Sequence, residues 1–378
     1  GAHWHSGGRA QAVRLLAFAA MLLLAACGSE KSVEFHADDN PQKLSDWGIL
    51  LMSGDRVRPA PDSFAYTLQT PLFSDYAGKL RTVWIPRGKQ ATYTTSGPLD
   101  FPVGTIISKT FFYRKSASGM GRGDRYFTPT SAAELDLRGV RMMETRLLVR
   151  RTSGWVGLPY VWNAEQTEAT LQRTGAIEDI TLDDIAATPV KLTYQVPNAN
   201  QCAQCHETNH TTKVMQPIGL TAAHLNHIGF GGAPAQLQRL VSLHMLDQAP
   251  ADAPRSVNWR DASASVDARA RSYLDINCAH CHNSKGAADT SGLSLEPGVT
   301  DAALWGVCKT PVAAGQGSGD RLYDIVPGKP DASILLYRME STDPAKMMPE
   351  LGRSVADREG VALIRQWIRE MPGGCAAG

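Results

Sequence analysis

Between residues 46 and 197 the apolar positions come in short runs broken by glycine and proline. Residues 64–68, 82–85, 105–113, 146–149 and 191–194 are rich in β-branched and aromatic side chains, the composition of half-buried strands. Pro86, Gly88, Gly97-Pro98, Pro102, Gly104, Gly119, Gly121 and Gly123 punctuate them as turns. The pattern predicts an antiparallel sheet or sandwich of about 150 residues. After Pro197 the periodicity becomes helical. Pro234 followed by Leu237, Leu240 and Val241 suits a helix with proline in its first turn. Residues 264–277 predict another helix. The last is the clearest: Ser354 is a candidate N-cap with Asp357 three residues on, and Leu363, Ile364, Trp367, Ile368 and Met371 recur at helical spacing. Pro372-Gly373-Gly374 then stop it.

The N-terminus has a different character. After Gly1-Ala2-His3-Trp4-His5 come Arg9 and Arg14, then an uncharged apolar run over residues 15–24. That run is too short to span a bilayer but suits the core of a signal peptide. Leu24-Ala25-Ala26-Cys27 then resembles a bacterial lipobox, in which the cysteine thiol is lipidated. The alternative is an ordinary cleaved signal with Cys27 left over. Lipidation would tether the chain to the periplasmic side of a bacterial membrane. Residues 28–45 are polar and read as a linker.

Composition adds two limits. A 43% hydrophobic fraction suffices for a sizeable core. A net charge of +1 without blocks of like charge argues against nucleic acid as a partner.

The seven cysteines carry the candidate chemistry. Besides Cys27 there are two tight pairs, Cys202 with Cys205 and Cys278 with Cys281. Cys308 and Cys375 remain; in an oxidising compartment they are either a disulfide or two free thiols. Each tight pair is followed by histidine. Cys202-Ala203-Gln204-Cys205-His206 and Cys278-Ala279-His280-Cys281-His282 both read C-x-x-C-H, the signature of c-type haem attachment. Two thiols one helical turn apart add across the two vinyl groups of a haem, and the adjoining histidine supplies an axial nitrogen to the iron. A redox C-x-x-C needs neither the histidine nor a duplicate. A four-cysteine zinc site leaves both histidines unexplained. Two covalently bound haems are therefore expected.

The sixth ligands are less evident. Downstream of the second motif stands Met347-Met348-Pro349-Glu350, and methionine is a common axial ligand in electron-transfer cytochromes. The segment from residue 259 to 378 resembles a class I cytochrome c: a helix into C-x-x-C-H, a methionine–proline loop, a C-terminal helix. In that family the methionine directly before proline is usually the ligand, which points to Met348, with Met347 and Met339 as core or loop residues. For the first haem the choice stays open among Met215, His224, His227, His244, Met245, a sheet residue such as Met142 or Met143, or an open position. His210 lies on the same helical face as His206 if the helix continues, and so cannot reach the far side of the same iron.

Several longer segments carry a wider resemblance. They are Thr70-Pro71-Leu72-Phe73-Ser74-Asp75-Tyr76, Phe101-Pro102-Val103-Gly104-Thr105, Glu144-Thr145-Arg146-Leu147-Leu148, Tyr273-Leu274-Asp275-Ile276-Asn277 running into the second motif, Val326-Pro327-Gly328, and Met348 through Arg353. On these the chain resembles a family of bacterial dihaem c-type cytochromes of largely uncharacterised function. That resemblance implies two haems, and a parallel β-helix protein, often encoded alongside, as a partner.

The expected fold class is α+β and multidomain. Residues 1–27 form a signal peptide with lipobox, 28–45 a linker and 46–197 an antiparallel β-rich domain. Residues 198–258 form a first haem-binding segment, and 259–378 a mainly α-helical cytochrome c domain. The expected function is electron transfer between redox protein partners. The alternatives are a dihaem peroxidase-like enzyme, with Glu144 and Arg146 as distal groups, and a haem-based sensing or binding module with an open first haem. Trp155, Tyr160 and Trp162 are read as core packing, with lining of the first haem as the alternative.

Overall fold

A long antiparallel ladder organises the chain. The structure, a computed structural model, describes residues 1, 32–128 and 130–376; the expected signal segment and Cys27 lie outside these apart from Gly1. Val33–Gly378 forms a unit separate from Gly1–Ser32.

The strands are β1 (Leu50–Ser53), β2 (Arg56–Pro59), β3 (Phe64–Tyr66), β4 (Gly78–Trp84), β5 (Ile106–Lys115), β6 (Met120–Gly121), β7 (Leu135–Asp136), β8 (Val140–Arg151), β9 (Gly154–Trp162), β10 (Ala169–Leu171), β11 (Ala176–Leu182) and β12 (Val190–Val196). The main sheet runs β10-β9-β8-β5-β6-β11-β12, with β4 also pairing β5 and β3 pairing β4. It curls into a half-barrel. A bulge between Phe111 and Phe112 bends the β5–β8 ladder. β1, β2 and β7 form a small second sheet.

Alternation sorts the strand residues onto two faces. Leu80, Ile106, Leu147, Val149, Leu158 and Tyr160 pack on one side with Trp47 and Leu135. Val83, Ile107 and Leu148 pack with Leu220, Leu225, Leu237 and Leu240. The expected linker is part of this construction from residue 33 onward: Val33 and Leu44 are buried in the first cluster, and Glu34 N–H donates to Trp47 O.

The expected α+β multidomain class, with a mainly α-helical cytochrome c region, is corrected. The chain is mainly β, 24% strand, with about 19% helix in short pieces and no helical cytochrome-like region. The physical reason is legible along the chain after Pro197. Helices there are α1 (Ala199–His206), α2 (Ala222–Leu225), α3 (Gln236–Ser242), α4 (Val266–Leu274), α5 (Ile334–Glu340) and α6 (Arg358–Glu370). Gly292, Gly298, Gly306, Gly315 and Gly319, all at positive φ, together with Pro311, Pro327 and Pro330, keep the stretch between α4 and α5 in turns. α6 has the length its apolar repeat predicts, and it buries Leu363, Ile364, Trp367 and Ile368 against Tyr273 and Leu274 of α4. Its N-cap is Asp357, whose carboxylate accepts from Gly360 N–H at 3.1 Å. Ser354, the expected cap, is engaged elsewhere: its N–H donates to Asp75.

Candidate functional site

The first motif is set by a capped helix laid on the sheet. Asn198 Oδ1 accepts from Gln201 N–H while Gln201 Oε1 accepts from Asn198 N–H, each at 2.9 Å. This reciprocal cap starts α1 at Ala199. Cys202 and Cys205 follow one turn apart and neither is in a disulfide. Gly157 on β9 makes room for them: a Cβ there would stand 3.1 Å from Cys202 Cβ and 3.4 Å from its Sγ. Gly157→Val is expected to push α1 off the sheet, which faster alkylation of the Cys202 thiol in the variant than in the parent chain measures.

His206 completes the arrangement. Its Nδ1 lies 2.7 Å from Gln216 O, so Nδ1–H donates to that carbonyl and Nε2 carries the lone pair. This tautomer leaves Nε2 able to ligate a metal while the other ring nitrogen is held by a hydrogen bond. Burial, with Lys109 nearby, pushes its pKa down to about 3. In front of it opens a cavity of about 110 Å³. Ile107, Leu148 and Leu220 line it with apolar surface, and Lys109 and Arg146 with charge.

The second motif grows out of α4, which widens into a π-helical turn over Asp275–Ala279. Asn277 holds this turn: its Nδ2 donates to Tyr273 O, and its Oδ1 accepts from Phe73 N–H. Cys278 and Cys281 are free of disulfides, and burial pushes both thiols up to about 12. His282 Nδ1 lies 3.1 Å from Ser291 Oγ. Because that hydroxyl donates to Ala288 O, it accepts from His282, and Nε2 is again the lone-pair nitrogen. Burial pushes His282 down to about 4.

The two motifs are neighbours. His210 N–H donates to Lys285 O at 2.7 Å, and His210 Nδ1 lies 3.1 Å from Asp289. Cys205 is near enough to Cys281 to help raise its thiol, and His280 near enough to help lower His206. The Met348 loop belongs to the same neighbourhood. Met348 N–H donates to Arg338 O, Arg338 adjoins His282, and Glu350 adjoins Cys281. Met347 is buried, as expected of a core residue, and so is Met339.

Of the residues considered for the first haem's sixth position, Met215 is the one the structure brings to the motif. Its Cε reaches within 3.7 Å of the space beside Gly157 that Cys202 also borders. Met142 and Met143 are buried in two different clusters of the sheet. His224 Nε2 lies 3.0 Å from Asp275 Oδ2, His227 Nε2 lies 2.9 Å from Thr67 Oγ1, His244 is exposed, and Met245 packs on the cluster around Leu240. Glu144 is fully buried and bound to Arg146 and to Tyr194 OH at 2.7 Å. Tyr160 and Trp162 are core, hydrogen-bonded to Trp47 and Thr145 respectively. Trp155 packs on Phe101. From that strand it is Gly157 and Leu158 that line the cavity. The last two cysteines, Cys308 and Cys375, are joined in a disulfide.

Buried neutral histidine also sets an acid limit. Desolvation holds His227 down to about 4 against its backbone hydrogen bond with His224, with His224 and Arg255 nearby charges lowering it further. The unfolded chain, titrating near pH 6.5, binds the extra proton between these values, so stability falls as pH drops from about 6.5 to about 4. His227→Gln is expected to remove up to about 3 kcal/mol of that slope, read from urea midpoints across this pH range.

Residues that the sequence reading did not single out include Gly157, Gln216, Ser291, Lys109 and Arg81. Lys79 and Arg81, two apart on one strand, were the visible signal of cations on a single sheet face. Among the described residues no helix is long and apolar enough to cross a membrane, and no group of three or more His, Cys, Asp or Glu is placed to hold a bare metal ion. Compared with family models, curated proteins and solved structures, the chain finds no match in any of the three.

Proposed function

We propose that this chain is a dihaem c-type cytochrome that passes electrons between redox proteins on the periplasmic side of a bacterial membrane, tethered through Cys27. One observation carries the reading. Two C-x-x-C-H segments lie side by side, with all four thiols free of disulfides and with each histidine engaged at Nδ1. A bound haem supplies a one-electron couple. The chain's own part is to hold the thiols for attachment, fix each imidazole by its Nδ1 hydrogen bond, and wrap the site in apolar surface. Met348 is the candidate sixth ligand for the iron held by His282. Adjacent attachment sites suit transfer from one haem to the other, and the resemblance makes a parallel β-helix protein a candidate partner.

Optical and EPR spectra of the purified holoprotein test this. Two low-spin haems, with a methionine–sulfur charge-transfer band that disappears in Met348→Ala, are the expected result. One high-spin haem that binds carbon monoxide on reduction would favour an enzyme or a sensor instead.

A further inference from the structure

One amine in the first site has no partner. Arg81 on β4, Lys109 on β5 and Arg146 on β8 are direct cross-strand partners, and like charges in that position oppose sheet pairing. Arg146 is neutralised by Glu144, 2.6 Å away. Lys79, two residues before Arg81 on the same face, donates to Leu72 O at 2.6 Å. Lys109 has neither: it makes no hydrogen bond or ion pair among the described residues. Its half-buried side chain instead lines the cavity in front of His206, near enough to help lower that histidine. Burial, with Arg81 and Arg146 nearby, pushes the Lys109 amine down to about 7, because desolvation and like charges both favour the neutral form.

We infer that Lys109 supplies its Nζ as the sixth ligand of the haem iron held by His206. The inference rests on the cytochrome reading above and fills the position that reading leaves open. The lining of the cavity carries it. A sixth ligand needs a lone pair that faces the same space as His206. Apart from His206 and the two thiols used in attachment, Lys109 is the lining side chain whose nitrogen can give up its proton. Arg146 keeps its proton and its ion pair with Glu144. Tyr66 also lines the cavity, but burial pushes its phenol above the ordinary value, which withholds the phenolate that ligation takes. Met215 borders Cys202 beside Gly157 and does not line this cavity. Ligation also relieves the cross-strand repulsion: a coordinated amine has lost its extra proton, so the row from Arg81 to Arg146 loses its central charge.

The test uses full-length holoprotein as wild type, Lys109→Ala, Lys109→Arg and Met215→Ala. EPR and near-infrared spectra of the ferric wild type should show one low-spin haem with a methionine–sulfur band and one low-spin haem with two nitrogen ligands. In Lys109→Ala the latter should turn high-spin and bind carbon monoxide on reduction. The haem-to-protein ratio should stay at two and the methionine–sulfur band should persist, which marks the first haem as the one altered. Lys109→Arg keeps the charge but offers no lone pair, so it should turn high-spin as well. Met215→Ala should leave both haems low-spin. A Lys109→Arg protein that stays low-spin would overturn the inference. So would a first haem that is already high-spin in the wild type, or one that turns high-spin in Met215→Ala. A wild-type chain without haem at the first motif would instead overturn the cytochrome reading itself.

Discussion

Replacing Cys278 and Cys281 together by alanine is expected to reduce the haem content from two per chain to one and to halve the haem absorbance. The two positions do not share a redundant partner: the other cysteine pair is held by a different helix, α1, against β9. The effect should extend beyond the spectrum. Cys278 packs on the cluster of Trp259, Leu274, Trp305 and Trp367, and the turns between α4 and α5 have little regular structure of their own. Under the proposed function, losing the haem there would leave apolar surface of this cluster without contacts. Limited proteolysis should therefore cut the double variant between residues 283 and 330 faster than the parent chain. An unchanged haem content would remove the second attachment site from the account.

Asp75→Ala is expected to destabilise the protein by about 4 kcal/mol, from the usual cost of leaving buried donors unpaired. Asp75 is 3% exposed. Its carboxylate accepts from Ser354 N–H at 2.8 Å and Val355 N–H at 3.0 Å, and so ties the sheet to the segment just before α6. Its φ of 46° is one that Asp and Asn adopt more readily than Ala. Asp75→Asn, which keeps an acceptor and the backbone preference, should lose less than half as much. Denaturant midpoints of the two variants check both values, and equal losses would mean that the carboxylate's hydrogen bonds are not what joins these parts.

These expectations show what could be read from the chain before its structure. The C-x-x-C-H segments are local in sequence, so the pairing of thiols and histidine at each was legible. Runs of β-branched and aromatic side chains made β5, β8 and β12 legible as well, and the apolar repeat made α6 so. What sequence could not supply was long-range. The Nδ1 partners, Gln216 and Ser291, lie 10 and nine residues beyond their histidines, in turns with no periodic signal. The cation row arises only when β4, β5 and β8 come into register. The N-cap of α6 was misplaced because Ser354 satisfies the local rule, yet its N–H is claimed by Asp75 across the molecule. The mainly helical C-terminal region was expected from three stretches of helical periodicity together with motif order, and the glycine and proline spacing after Pro197 weighed against it.

The most direct measurement is the mass of the peptides containing Cys202–Cys205 and Cys278–Cys281, from protein made in a host with c-type haem attachment. The account predicts one haem on each peptide and no alkylatable thiol at any of the four cysteines. Bare peptides with four reactive thiols, or a disulfide within either pair, would contradict it.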